Sequence, residues 1–409
     1  MQNKASSTKV CIIGGGPAGL MAAHVLAKAG IEIHIYDQKA SVGRKFLIAG
    51  EGGLNLSNAN PLDYFAAQYL PKPNRFSKYL SAFSPEDTRH FFQSIGIETY
   101  VGSSGKIFPT KEHQPSHVLK AWIKKLKALN VQFHTKHKWV SFKEDALLFE
   151  DQHSNDIIVN ADAYLFAMGG ASWPETGSDS LWIKQFEKEG LKCHPPQVSN
   201  CGFHTSFSEA FIEKHKNTSI KNCSLNYKGI TIKGECNIRT YGLEGIPVYG
   251  LSSALRDAII QDKKATAKLD LKPSWTKEKL FQKIQEKKEN TSISEHLYRH
   301  IKLSKNAIAL LRELLSKKTF TDDSLLATNI KSLSICFHDM RPMSEAISSA
   351  GGLCFSELDE QLMLVNKPAY FAAGEMLNWE VRTGGYLLQG CFSTGYIAGK
   401  GILNYLSNT

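Results

Sequence analysis

The sequence predicts an α/β chain whose outer segments build one doubly wound, mostly parallel sheet around an inserted second domain. Three observations predict it. Near the N-terminus the apolar run Val10-Cys11-Ile12-Ile13 meets Gly14-Gly15-Gly16-Pro17-Ala18-Gly19, and a helix-forming run from Leu20 to Ala29 follows, stopped by Gly30. Strand-like runs then alternate with helical patterns as far as about residue 190. Glycine-rich texture returns at about residue 346, beyond a stretch of different character.

The first strand is short and branched, as a buried parallel strand should be, and the next run has strong helix formers. Gly14 permits the tight turn, Gly16 lets the backbone approach a pyrophosphate, and Gly19 lets helix and strand sit close. Pro17 and Ala18 open the helix, whose free N–H groups and partial positive charge suit a diphosphate. A second strand, Ile31 to Tyr36, ends in Asp37 and Gln38. Asp37 lies about 20 residues past the glycines, where a ribose diol is held; an acid there fits FAD or NAD better than NADP.

Ser41 to Asn58 reads as a long, glycine-rich loop carrying the adjacent cations Arg44 and Lys45, placed to touch phosphate. Helices are predicted over 85–95 and 115–129, and strands over 131–135, 139–142 and 163–168. The last of these runs through Met168 into Gly169-Gly170, and the loop Ser172 to Asp179 follows at its carboxyl end, where ligands sit in such sheets.

From about residue 193 the texture changes. Residues 200–250 read as short strands with turns, and 274–318 as helices with an amphipathic stripe at Ile308, Leu311, Leu314 and Leu315. The expected layout is a nucleotide-binding domain at 1–192 and 346–409, with an insertion at 193–345 that is β-rich over 193–270 and 331–345 and helical over 272–330.

Composition bounds the partners. At 409 residues the chain exceeds one ordinary core. Apolar content is 42% and mean hydropathy −0.26, with no run long enough for a membrane span. Met1 to Ser7 lacks the apolar core of a signal peptide, so a cytoplasmic location is expected. None of the eight cysteines forms a close pair, which points to free buried thiols. His113 and His117 flank Pro115, which disfavours a helical metal pair, and no metal site is expected. The net charge is +10, but the lysines look dispersed, so a solvated surface is expected before a polyanion-binding face.

Near the C-terminus a strand at 369–373 ends in Gly374-Glu375, followed by Thr383-Gly384-Gly385-Tyr386-Leu387 and the small-residue stretch Ser393 to Gly399. A carboxylate at a strand's end accepts from a ribityl hydroxyl, and paired glycines let backbone N–H groups reach a planar ring. A helix starting near Gly385 aims its positive end there, which stabilises an anionic reduced flavin. Arg382 precedes the glycine pair, and His338, Asp339 and Arg341 fall just before the chain re-enters the cofactor domain. Each of these four has an ordinary structural alternative, and the catalytic residues stay unassigned.

These residues carry a resemblance. The first fingerprint, Gly43-Arg44-Lys45-Phe46-Leu47 with Asn55-Leu56-Ser57-Asn58, Met168-Gly169-Gly170-Ala171-Ser172-Trp173-Pro174, and Ala373-Gly374-Glu375 with Thr383-Gly384-Gly385-Tyr386 are similar to the BaiN/YhiN-type bacterial flavoproteins. That family is described as NAD(P)/FAD-dependent oxidoreductases, with aminoacetone oxidases and bile-acid reductases among relatives. The resemblance implies a Rossmann-like FAD-binding domain of the glutathione-reductase type, with a barrel-like β-rich and helical insertion. It implies FAD in an extended pose: Asp37 on the adenosine ribose, Arg44 and Lys45 near the pyrophosphate, Glu375 on the ribityl or pyrophosphate side, and Gly384 to Leu387 near the isoalloxazine. The chain departs from the pattern at Gly52-Gly53-Leu54-Asn55, where many relatives read Gly-Arg-Cys-Asn, and at Leu387, where they often have asparagine.

The expected function is a FAD-dependent oxidoreductase passing a hydride between flavin N5 and a small-molecule substrate. No second glycine fingerprint is present, so NAD(P)H would dock transiently as reductant. The alternatives are a flavin-dependent RNA-binding or RNA-modifying protein and a non-catalytic flavin-binding partner protein.

Overall fold

The computed structural model describes residues 8–50 and 53–409; Met1–Ser7, Glu51 and Gly52 lie outside the described residues, and with them the signal-peptide expectation and the departure at Gly52. The chain divides into two units, one of Met1–Gln197 with Ile347–Thr409 and one of Val198–Ala346. Each has its own apolar core.

The first unit is built on five parallel strands: β1 (Lys9–Ile13), β2 (Glu32–Asp37), β3 (Gln132–Thr135), β4 (Ala163–Phe166) and β5 (Tyr370–Ala372). Their order is β5-β4-β1-β2-β3. All four residues of β4 are buried, as are the four from Val10 to Ile13 in β1, the pattern of strands covered on both faces. From β1 the chain runs outward through α1 (Pro17–Lys28) and β2 to β3, and then returns to the other side of β1. The direction of winding therefore reverses between β1 and β4, and a crevice opens at their carboxyl ends. A separate three-stranded antiparallel sheet is formed by Lys138–Lys143, Ala146–Glu150 and Asp156–Val159.

Two segments differ from the sequence expectation. The loop at 41–58 contains a helix, α2 (Arg44–Ala49), entered through Gly43 in the left-handed region; its six residues are too few to show a helical period. The stretch Ser393 to Gly399 lies inside α3 (Tyr386–Asn408). Its glycines serve helix packing: a Cβ on Gly395 would sit 2.3 Å from the Ala18 carbonyl oxygen, and one on Gly399 3.0 Å from Val25 Cβ.

The second unit holds a seven-stranded antiparallel sheet whose two outermost strands, Leu333–Phe337 and Asp339–Met340, are consecutive in the chain and separated by His338 alone. The sheet therefore curls toward a barrel. Its central hairpin is longer than the short strands expected, with ten residues in each of Thr218–Tyr227 and Ile230–Arg239. Lys228 and Gly229 both take positive φ between them, the twist a two-residue hairpin turn needs. Helices Lys277–Gln285, Ile293–Arg299, Lys305–Leu314, Lys317–Thr321 and Asp323–Lys331 follow, each capped by a Ser, Thr or Asp side chain accepting from the first turn. Ile308 and Leu311 are buried in this unit's core, with Leu314 and Leu315 packed against it.

Candidate functional site

The glycine turn stands at the mouth of the crevice between β1 and β4. Gly14 has φ +103°, and a Cβ there would lie 2.3 Å from the Ala167 carbonyl oxygen, so only glycine lets the loop after β1 touch the loop after β4. A Cβ on Gly19 would lie 2.1 Å from the Gly14 oxygen, which is why α1 sits so close over the turn. Above Gly16 the space is open for 4 Å. No side chain caps the start of α1, its first turn carries no acid, and Pro17 has no N–H to satisfy. Gly14 to Ala18 line a cavity of about 290 Å³.

Asp37 closes one side of that cavity. Its carboxylate accepts from the Gly15 amide at 3.0 Å and from the Lys39 amide at 2.8 Å. Burial raises its pKa above the ordinary value, and the two amide bonds oppose that shift. Gln38 donates to the Gly177 carbonyl at 2.9 Å and to Asp179 at 3.2 Å, tying the exit of β2 to the loop after β4. Arg44, Met168 and Gly169 also line the cavity.

A second polar group forms the far wall. Lys45 Nζ lies 2.6 Å from Glu375 Oε2 and donates to Ser172 at 2.7 Å and Ser178 at 3.3 Å. The other Glu375 oxygen accepts from the Ser349 amide at 3.1 Å. The family resemblance implies separate cofactor roles for the two charges; the fold pairs them with each other while keeping both on the cavity wall. Gly170 belongs to this wall's support, since a Cβ there would lie 2.0 Å from Ser349 Oγ. Burial and the nearby Glu375 push the Cys391 thiol up to about 12, which keeps it neutral and unreactive.

The remaining expected residues gather at the start of α3 and do not line this cavity. Gly385 takes φ +92° and its Cα passes over the Ser57 carbonyl, 2.2 Å from where a Cβ would stand. Asn55 bridges the pair, accepting from the Gly385 amide at 2.9 Å and donating to the Ser57 oxygen at 2.7 Å. Asn58 donates to the Gly384 carbonyl at 3.0 Å. Ser57 turns its hydroxyl inward to Gln389 at 2.6 Å, so its side chain supports the helix. Thr88 donates to the same Gln389 oxygen at 2.7 Å, and Gln389 donates to the Phe83 carbonyl at 2.9 Å, all of it buried. Gln389 and Thr88 carry no motif, and nothing local in the sequence marks them. Tyr386 is buried against Phe65, with its hydroxyl bonded to Asn60 and Arg382, and Leu387 is half-buried beside it. Arg382 lies over the rings of Tyr64 and Tyr386. No side chain caps α3, so its amide groups stay available to a ligand atom.

His338, Asp339 and Arg341 belong to the second unit, where Arg341 pairs with Glu345 at 2.8 Å and stacks on Tyr241. Of the eight cysteines five are buried, Cys193 and Cys354 half-buried, and Cys336 exposed, so burial does not extend to all of them. Among the described residues no group of three metal-ligating side chains is assembled. No helix among them is long and apolar enough to cross a membrane.

A family profile described as HI0933-like protein Rossmann domain matches residues 8–401. Among curated proteins, the 3-dehydro-bile acid delta(4,6)-reductase of Clostridium scindens is 25% identical, over 96% of this chain and 98% of that protein. The ribosomal RNA dihydrouridine synthase of Escherichia coli is 22% identical, over 96% of this chain and 97% of that protein. Among solved structures, the 3-ketosteroid-delta4-(5alpha)-dehydrogenase of Rhodococcus jostii shares the fold with a TM-score of 0.52 at 15% identity, covering 98% of each chain.

Proposed function

The chain belongs to the HI0933-like Rossmann domain family and is a flavoprotein oxidoreductase of Rossmann-type FAD-binding fold, and from that premise we propose that it reduces a carbon–carbon double bond conjugated to a carbonyl group. The observation that carries the cofactor half of this proposal is the cradle at the winding reversal. Gly14 and Gly19 there leave no room for a Cβ, the space above Gly16 is open, the helix start is uncapped, and an acid ends β2. These groups fit a dinucleotide: Gly14 to Gly19 and the α1 amides for the diphosphate, Asp37 for the adenosine ribose, Gln38, Met168 and Gly169 along the cavity. Arg44, with the Lys45–Glu375 pair, would meet the pyrophosphate and ribityl side, and Asn55 with Gly384 to Leu387 at the start of α3 would hold the ring. Bound FAD supplies two-electron chemistry, with a hydride transferred at N5.

The names of the two curated relatives support the substrate half. A 3-dehydro bile acid with delta(4,6) unsaturation and a uridine on its way to dihydrouridine both hold an alkene in conjugation with a carbonyl. Saturating it places a hydride on the β-carbon and a proton on the α-carbon, with negative charge gathering on the carbonyl oxygen in between. NADH or NADPH, docking without a fingerprint of its own, would supply the hydride and solvent the proton. Anaerobic addition of NADH and NADPH separately should bleach the visible flavin band, and a 3-oxo-Δ4 steroid or a uridine-containing RNA should restore it with a product two hydrogens heavier. Purified protein that lacks FAD and fails to take it up overturns the proposal.

A second reading, uridine within RNA rather than a free small molecule, is favoured by where the chain keeps its positive charge. Residues 198–346 hold 24 of the 49 Lys and Arg but 16 of the 39 Asp and Glu, so the second unit carries +8 of the net +10.

A further inference from the structure

Taken along the whole chain the lysines look scattered, but within the second unit several of them meet around two aromatic rings. Lys272 Nζ stands 5.1 Å and Lys279 Nζ 4.6 Å from the centre of the Trp275 ring. Lys272 also reaches the Lys302 carbonyl at 3.5 Å, which joins this cluster to the segment holding Lys305 and Tyr298. Lys305 lies 5.7 Å from the centre of the Tyr298 ring, and that ring is 48% exposed. Lys279, Lys302 and Lys305 are exposed, and Lys272 and Trp275 half-buried.

The neighbouring acids are already engaged elsewhere. Asp270 pairs with Lys331, Glu286 with Lys283, and Glu295 with Arg299, while Glu278 turns back to Thr276 at its own helix start. Lys272, Lys279, Lys302 and Lys305 hold no carboxylate within ion-pair distance among the described residues. Three cations without counter-ions, set beside an indole and a phenol, with the exposed Lys302 joined to them through its carbonyl, match the two demands of a polynucleotide. The ammonium groups meet phosphates, and the rings offer surfaces on which bases stack. Burial and the adjacent Lys279 also push the Lys272 ammonium below its ordinary range, a strain that an arriving phosphate relieves.

We infer that the face formed by Lys272, Trp275, Lys279, Tyr298, Lys302 and Lys305 is an RNA-docking surface. The inference rests on the second reading above, in which the reduced base belongs to an RNA, and it names the surface that would hold that RNA. A solvated charge run would need neither ring.

The test uses the FAD-loaded full chain and a fluorescein-labelled, uridine-containing RNA, with anisotropy followed across a salt series. The parent protein should bind at low salt and lose affinity as salt rises. Lys272→Glu with Lys279→Glu should weaken binding at least about tenfold and flatten the slope of log K against log salt by about 1.4, roughly 0.7 for each lost single-strand phosphate contact. Trp275→Ala should cost about tenfold with little change in slope, as loss of one stacking surface does. Lys120→Glu with Lys124→Glu, exposed on helix Pro115–Ala128 of the first unit, changes net charge equally and should leave affinity near the parent's.

FAD content and thermal midpoint report folding of each variant, and anaerobic bleaching by NADH or NADPH should be untouched by the surface changes. Absence of RNA binding at low salt overturns the inference. So do equal losses from the two charge-reversal pairs, or equal binding to phosphatidylserine vesicles or polyglutamate. Absence of FAD or of bleaching instead falls on the proposed function, so the two failures are distinguishable.

Discussion

Replacing Lys45 by methionine removes the cation paired with Glu375 while keeping an unbranched side chain of similar reach. Glu375 is 7% exposed and Lys45 21%, so the carboxylate would be left inside with one amide donor, from Ser349, and almost no water. Breaking a buried ion pair from one side costs about 3–5 kcal/mol, and the residual exposure of Lys45 places this case near the lower figure. Glu375→Gln should cost less, about 1–2 kcal/mol, because the ammonium keeps Ser172 and Ser178 and its exposed edge. The double variant should cost about 2–3 kcal/mol rather than the roughly 4–5 kcal/mol of the two single losses added, a coupling of about 2 kcal/mol in a double-mutant cycle. Thermal and urea unfolding of the FAD-free protein measures it, with Lys45→Met lowering Tm by about 6 °C in a unit of this size. A coupling below about 0.5 kcal/mol would refute the pairing as an energetic unit.

Gly14→Ala should abolish FAD retention and cost about 3 kcal/mol or more, since the methyl group would meet the Ala167 oxygen; flavin absorbance of the purified variant reports it. Gln389→Leu should lower stability by about 2–4 kcal/mol in urea unfolding, because the Ser57 and Thr88 hydroxyls lose their buried acceptor. Burial and nearby lysines push His24 down to about 4, and burial with neighbouring histidines does the same for His134. The unfolded chain therefore binds more protons than the folded one between about pH 6.5 and 4, and stability should fall as pH drops through that window. His24 accounts for up to about 3 kcal/mol of that loss and half-buried His134 for less; His24→Phe should flatten the urea midpoint against pH, and an unchanged profile would contradict the assignment.

The dinucleotide cradle was legible in the sequence because it is local. Strand, turn, helix and acid fall within about thirty residues, and Gly14 and Gly19 answer contacts made nearby or just after β4. What sequence could not show depends on partners far along the chain. Lys45 and Glu375 are 330 residues apart and no spacing relates them. Gln389 reads as an ordinary helix residue until Thr88 and Ser57 are brought to it. The helix Arg44–Ala49 is too short for its period to emerge from a glycine-rich segment, and the Thr218–Arg239 hairpin is masked in the sequence because its turn begins with lysine rather than asparagine or aspartate. The excess of lysines in the second unit depends on a division at residues 197/198 and 346/347, where texture predicts 192/193 and 345/346.

The pairing of β5 with β4 has a consequence for synthesis. The strand that completes the sheet leaves the ribosome some two hundred residues after its neighbour, with the whole second unit made in between. Until then β4 presents an unpaired apolar edge, open to association with other nascent chains. The contact of Gly395 with Ala18 comes later still, so the helix bearing the phosphate cradle gains this packing partner only after the second unit has been made. Cofactor capture is therefore a late event, and a ribosome stalled before residue 370 would hold a finished second unit beside an aggregation-prone half-sheet.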